Sequence, residues 1–186
     1  MKFTKISADT FKKLQLNAGV LLSSFDPEAG SVEDTALIGA TSGGVRFNAA
    51  PTFSDFGSDI DNCPKNTKEL MRLDDWTVTM SGTFITVDPA MAKRLVAIAD
   101  EADGKITPRA TLKLDDFSDI WWVGDYSDGD NAFIAIHLMN ALSTGGFSLQ
   151  TGDKAKGQFA FEFTGHFSMD KQDTVPFEIF VGEAAA

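Results

Sequence analysis

The stretch QFAFEFTGHFSMDKQDTVPFEIFV, residues 158–181, decides the class of fold. Read as strand, its first twelve residues put Phe159, Phe161, Phe163, Gly165, Phe167 and Met169 on one side and Gln158, Ala160, Glu162, Thr164, His166 and Ser168 on the other. Alternation at period two with one apolar face specifies an antiparallel sheet whose polar side is solvated or lightly covered. Twelve extended residues span roughly 40 Å at about 3.3 Å each, about twice the usual strand. A strand of that length runs past an ordinary core unless something else covers its ends. A second apolar run, VPFEIFV at 175–181, follows at once.

The same signature recurs upstream. GVLLSSF (19–25), GGVRFNAAPTF (43–53), DWTVTMSGTFITV (75–87), KITPRATLKL (105–114), DIWWVGDY (119–126), NAFIAIHLMNAL (131–142) and FSLQTG (147–152) are rich in β-formers. SDGDN at 127–131 has the Asp and Gly chemistry of a hairpin connection. One helix is predicted over 88–103, with Asp88 as N-cap, Pro89 at the first helical position and Gly104 as the stop. Met91, Leu95 and Ile98 share its apolar face, with Val96 and Ala99 beside them. Seven or eight strands and one helix predict a single domain over 1–186. It is mainly β: an antiparallel β-sandwich or barrel with one flanking α-helix.

Residues 53–73 do not fit a regular element. Gly, Pro and scattered Asp and Asn interrupt them, yet they carry Phe53, Phe56, Ile60, Leu70 and Met71. Long structureless loops are uncommon inside compact domains, and five bulky apolar residues argue against disorder. The segment reads as an extended arm that folds against its own barrel or against another subunit.

Composition narrows function. The 186 residues carry 27 acidic and 16 basic side chains, a formal charge of −11, which opposes tight binding to nucleic-acid phosphates. Apolar residues make up 43% of the chain, enough for a globular core. Cys63 is alone, so no internal disulfide forms. No stretch has the length of a membrane span, and the first residues lack a signal-peptide core, so a soluble protein made in the cytoplasm is expected.

Catalytic groups do not assemble along the chain. His137 and His166 lie inside predicted strands with no Cys, Asp or Glu at ligand spacing. Cys63, beside Pro64, has no local histidine. SDFGSDIDN (54–62) and DYSDGDN (125–131) resemble calcium loops but lack the EF-hand register, and turn-forming aspartates explain them. The Gly pairs at 42–44 and 144–146 lack the context of a phosphate loop. Trp121 and Trp122, adjacent in a strand, must face opposite ways, one into the core and the other toward a surface or interface. Neither enzyme activity nor a cofactor is expected.

Three features occur together: a Trp-led strand ending in SGTF (81–84) before an amphipathic helix, the Phe-rich strand FAFEFTGHFSMD (159–170), and the terminal VPFEIFV. With the opening FKKLQLNAGVLLSSFDP (11–27), this layout resembles the tail tube proteins, or major tail proteins, of long non-contractile-tailed bacteriophages, particularly prophages of Gram-positive bacteria. The resemblance implies a virion protein that assembles as hexameric rings, stacked into a tube through which DNA leaves. It implies the chain itself as main partner, together with tape measure and tail terminator or tip proteins. The polar faces Thr77, Thr79, Ser81, Thr83 and Glu162, Thr164, His166, Ser168 would line the lumen, and 53–73 would be the inter-ring arm. An acidic, hydroxyl-rich wall of this kind would let DNA pass without specific binding. Other readings are a head-tail connector, a capsid decoration protein, or a carbohydrate-binding sandwich using Trp121, Trp122 or Tyr126.

Overall fold

The computed structural model describes residues 6–126 and 132–183. Eleven strands and one α-helix are present among them, in the order β1 (Gln15–Leu22), β2 (Leu37–Gly39), β3 (Thr41–Asp55), β4 (Met71–Phe84), α1 (Pro89–Val96), β5 (Ala99–Ala102), β6 (Lys105–Pro108), β7 (Ser118–Tyr126), β8 (Ala132–Ser143), β9 (Ser148–Gln150), β10 (Gln158–Thr164) and β11 (Phe177–Glu183). The protein is mainly β, antiparallel, with one flanking helix, the class the alternation specifies.

Nine strands form one continuous hydrogen-bonded path, β2-β1-β7-β8-β10-β4-β3, with β11 beside β8 and β9 beside β10. Strand β8 belongs to both halves. Its residues 132–138 pair with β11, and its last two, Leu142 and Ser143, pair with Thr164 and Phe163 of β10. The path therefore folds over at the end of β8, and its two halves face each other. Between them lie Leu21, Trp122, Ile136 and Leu138 from one half, and Val78, Met80, Phe84, Phe159, Phe161 and Phe163 from the other. Phe84 and Phe161 stack with centroids 4.4 Å apart. A second apolar cluster on the opposite face of the β1-β7-β8 half joins Leu22, Trp121, Val123, Phe133 and Ala135 under Phe25 and Phe180.

Helix α1 closes one margin of the core with Met91 and Leu95. Its start follows the predicted chemistry: Asp88 accepts a hydrogen bond from the Met91 amide at 2.8 Å, with Pro89 in the first turn. Its end does not. The helix stops at Val96, with Ala97 at φ 66°, and the residues to 102 form β5, paired with β6 across Asp103 and Gly104. Both turn residues have positive φ, 52° and 76°, so Gly104, read as the helix stop, forms with Asp103 a hairpin turn instead. Strand β6 ends at Pro108, six residues short of the predicted 105–114 run.

The twelve-residue ribbon at 158–169 is also shorter than its alternation implies. β10 ends at Thr164; the Gly165 amide bonds the Val78 carbonyl and the His166 amide bonds the Met139 carbonyl, so the chain crosses from β4 toward β8. A Cβ at Gly165 would sit 2.7 Å from the Leu138 side chain and 3.1 Å from the Pro176 carbonyl, so any larger residue would have to displace the buried Leu138 at this crossing. Beyond it Phe167 and Met169 are exposed, while Phe159, Phe161 and Phe163 are buried. The overlong ribbon is instead the β3–β4 hairpin, of 15 and 14 residues.

Phe163→Ala is expected to lower the unfolding free energy by about 3–5 kcal/mol, the range for a large side chain deleted from a packed core. Phe167→Ala should change it by less than about 0.5 kcal/mol, as for an exposed site. Urea denaturation of the two variants measures the difference; equal losses would mean that the Phe layer continues past Gly165.

Candidate assembly surfaces

Cross-strand register puts most of the proposed lumen residues on one face. Arg46, Ser81 and Glu162 lie in one row across β3, β4 and β10; Asn48, Thr79 and Thr164 lie in the next; Ala50 pairs with Thr77, and Thr83 with Ala160. Thr144 extends the surface through a 2.8 Å hydrogen bond with Thr164 and a longer one, 3.4 Å, to the Glu162 carboxylate. His166 and Ser168 do not belong to it. His166 has left β10; its ring packs edge-on against Phe117, and its Nδ1 is 3.2 Å from the Asn140 carbonyl. Ser168 forms an isolated bridge with Lys171. The face is hydroxyl-rich but not acidic, since its paired positions from Arg46 to Thr52, Asp75 to Thr83 and Gln158 to Thr164 carry only Arg46, Asp75 and Glu162 as charges. The excess of carboxylates in the chain lies elsewhere.

The arm at 53–73 is the outer end of the β3–β4 hairpin, with strand at both its ends. Along β3 the inward positions run Phe47, Ala49, Pro51, Phe53. The first two pack on the core; Phe53 continues the same side beyond it, opposite Leu73. Phe53 is 56% and Leu73 47% exposed, and at the tip Phe56 and Ile60 are 55% and 50% exposed. Leu70 and Met71 are half-buried; Leu70 packs within the tip over Gly57, where an added Cβ would meet its side chain at 2.9 Å. Leu73 was missing from the sequence-derived set because the strand was started at Asp75. Its signal was its position opposite Phe53, visible only with the register.

Asp55 organises the tip. One carboxylate oxygen accepts from the Gly57 amide at 2.8 Å and the other from the Asn66 amide at 3.0 Å. These bonds, led by that from Asn66, hold the Asp55 carboxyl below the usual carboxylate range. Both oxygens of this member of the 54–62 cluster are thus occupied by backbone donors. Cys63 sits in the same tip, its Sγ 3.6 Å from Thr67 Oγ1.

Among the described residues, β3 pairs only with β4 and β11 only with β8, so each presents a free edge. On β11, Ile179 and Val181 are 52% and 59% exposed.

The remaining candidates are accounted for locally. His137 stacks on Trp121 at 3.9 Å, and its two ring nitrogens meet Asp119 at 3.1 Å and Glu178 at 3.5 Å. The carboxylates sit at opposite ends of the ring and do not converge. Trp122 enters the main core, its Nε1 donating to the Ala18 carbonyl, and Trp121 is covered by Phe25 and Phe180. Both indoles are therefore buried, where the sequence reading placed one at a surface or interface. The side chain of Tyr126, the 127–131 connection and most of the second aspartate cluster lie outside the described residues. No three His, Cys, Asp or Glu side chains are grouped to hold a metal ion among the described residues. Gly43 and Gly44, at φ 83° and 81°, form a bulge in β3. Compared with known protein families and with curated proteins, the chain matches none.

Because the Asp55 pKa is lowered on folding, its ionised form favours the closed tip above the ordinary value of 3.8, and that contribution is lost as pH falls through the lowered native value. In an NMR titration, the amide shifts of Gly57 and Asn66 should move together with a midpoint below 3.8. Asp55→Asn should abolish that transition. A midpoint at or above the ordinary value would show that the two amides do not hold the carboxylate.

Proposed function

We propose that this chain is a structural virion subunit, a tail tube protein of a long non-contractile bacteriophage tail, and that it acts by polymerising into stacked rings of six copies. The observation that carries this reading is the β3–β4 hairpin itself, which runs past the core with Phe53 and Leu73 half-exposed on its inner side and Phe56 and Ile60 half-exposed at its tip. Four large apolar side chains exposed on one projecting hairpin mark a contact site. The free edges of β3 and β11 add backbone groups that a neighbouring copy can pair.

On this reading residues 53–73 join neighbouring copies, while the Thr77, Thr79, Ser81, Thr83, Glu162 and Thr164 face lines the channel. Hydroxyls with nearly balanced charge give DNA phosphates no cationic surface to hold, which suits a conduit. Tape measure and tail terminator or tip proteins would meet the ends of the tube, and the site of action is the virion tail. The burial of Trp121 and Trp122 removes their indole faces as a platform for carbohydrate stacking.

Negative-stain electron microscopy of the concentrated protein tests the proposal. Tubes or stacked rings are the expected result. Closed rings that never stack would point to a head-tail connector, and a monomer at every concentration, with or without tail-assembly partners, would overturn the polymer reading. Replacing residues 56–70 by a two-residue Asn-Gly turn between Asp55 and Met71 should abolish assembly and leave the melting temperature within a few degrees of the parent. Unfolding of that variant would mean that the tip supports its own core.

A further inference from the structure

Among the described residues β11 pairs only with β8. Near the start of that pairing, His137 of β8 stands directly opposite Glu178 of β11 on one side and Trp121 of β7 on the other, so three strands meet at one imidazole. The ring lies flat on Trp121, with centroids 3.9 Å and planes 6° apart, and the side chain is only 13% exposed. Stacking fixes the plane of the ring and so aims its two nitrogens. Nε2 lies 3.1 Å from a carboxylate oxygen of Asp119, and Nδ1 lies 3.5 Å from one of Glu178. The flanking positions on the same face, Ala135 and Met139 of β8, Val123 of β7 and Phe180 of β11, are uncharged, so among the described residues these two carboxylates are the charged groups that face the ring.

The two carboxylates are held differently. Asp119 is anchored, because its other oxygen accepts the Asn140 amide at 2.9 Å. Glu178 is half-exposed, and among the described residues its carboxylate meets only the imidazole. A carboxylate accepts and cannot donate, and a neutral imidazole carries one N–H, so it serves one of these oxygens while its other nitrogen turns a lone pair toward the second. Only the imidazolium donates to both. We propose that protonation of His137 latches β11: the imidazolium joins Asp119 to Glu178 and clamps β11 to β8 and β7, and loss of the proton frees Glu178 while Asp119 keeps its bond. Distance and anchoring decide which bond survives, since the remaining hydrogen stays on Nε2, toward the nearer and fixed carboxylate. The clamp is therefore present at low pH and lost as pH rises through the range in which an imidazole gives up its proton. Because the outer edge of β11 is unpaired among the described residues, the latch sets how firmly that edge is held. It needs only one copy of the chain and does not depend on the polymer reading.

Hydrogen exchange of the full-length protein, kept dilute enough to be monomeric, tests the latch through the segment 177–183. After correction for the pH dependence of unprotected exchange, protection there should fall about two- to five-fold between about pH 5.5 and 8, the size of effect a half-exposed ion pair supports, while protection of β4 and β10 stays level. Glu178→Gln, at a half-exposed site, should remove the pH dependence and leave β11 paired. Long-range nitrogen correlation spectra of the wild-type His137 ring should show two protonated nitrogens at the low end and the Nε2–H tautomer at the high end. Protection of β11 that does not change with pH, a pH dependence that survives Glu178→Gln, or an Nδ1–H tautomer at high pH would each overturn the latch.

Discussion

A strand cannot bury one side without presenting the other, and this period of two governs the molecule. Phe159, Phe161 and Phe163 point between the two halves of the sheet and fix β10 against β4. The same pairing leaves Glu162 and Thr164 beside Ser81 and Thr79 on the outside. A slip of one residue would turn the Phe layer into water and the hydroxyls into the core, so the core holds the polar face in register. Along β3 the alternation outlasts the core. Phe53 lies on the inner side because Phe47 and Ala49 do, although beyond the core only Leu73 faces it and more than half of it is exposed.

That overrun has an energetic consequence. The four half-exposed side chains Phe53, Phe56, Ile60 and Leu73 offer roughly 350 Å² of apolar surface, and at about 25 cal/mol per Å² that is a gross gain of roughly 9 kcal/mol if a neighbour covers it. Association costs roughly 4–15 kcal/mol in lost freedom. A single contact of this size is therefore marginal. Copies that each engage several neighbours in a closed ring hold together far better than an isolated pair, because the orientation lost in forming the first contacts is not lost again for the last. Marginal pairwise contacts would suit the proposed polymer, whose copies would stay dispersed until several contacts form together.

Sequence patterning disclosed the class of fold and much of the hydroxyl face, because both depend on local alternation. Thr77, Thr79, Ser81, Thr83, Glu162 and Thr164 could be assigned to sides without knowing their partners. His166 and Ser168 could not, since the break at Gly165 is made by Leu138 and Met139, distant in sequence. The helix was overextended because Ile98 and Ala99 continue its apolar spacing, while the stronger local signal was the Asp103-Gly104 turn. At the hairpin, Phe53, Phe56 and Ile60 were legible from bulk apolarity in a polar stretch. Leu73 was not, because its role follows from lying opposite Phe53 across a bulge at Asp74.

The separation of charge from the hydroxyl face bears on what the polar side can do. The chain carries −11, yet Arg46 stands in the same row as Glu162, with only Asp75 in excess across the paired positions. Carboxylates collect instead at exposed positions off that face, at Glu28, Glu33 and Asp34, along the β5–β6 hairpin at Asp100, Glu101 and Asp103, and at Asp115. A wall with strong negative charge would oppose entry of a polyanion, and a positive one would hold it by releasing counterions from each phosphate. A nearly neutral row of Thr and Ser avoids both, offering hydrogen bonds no stronger than those of the water they replace. With these carboxylates off that face, the molecule keeps the net charge that opposes nonspecific association without bringing it to the surface proposed to face DNA.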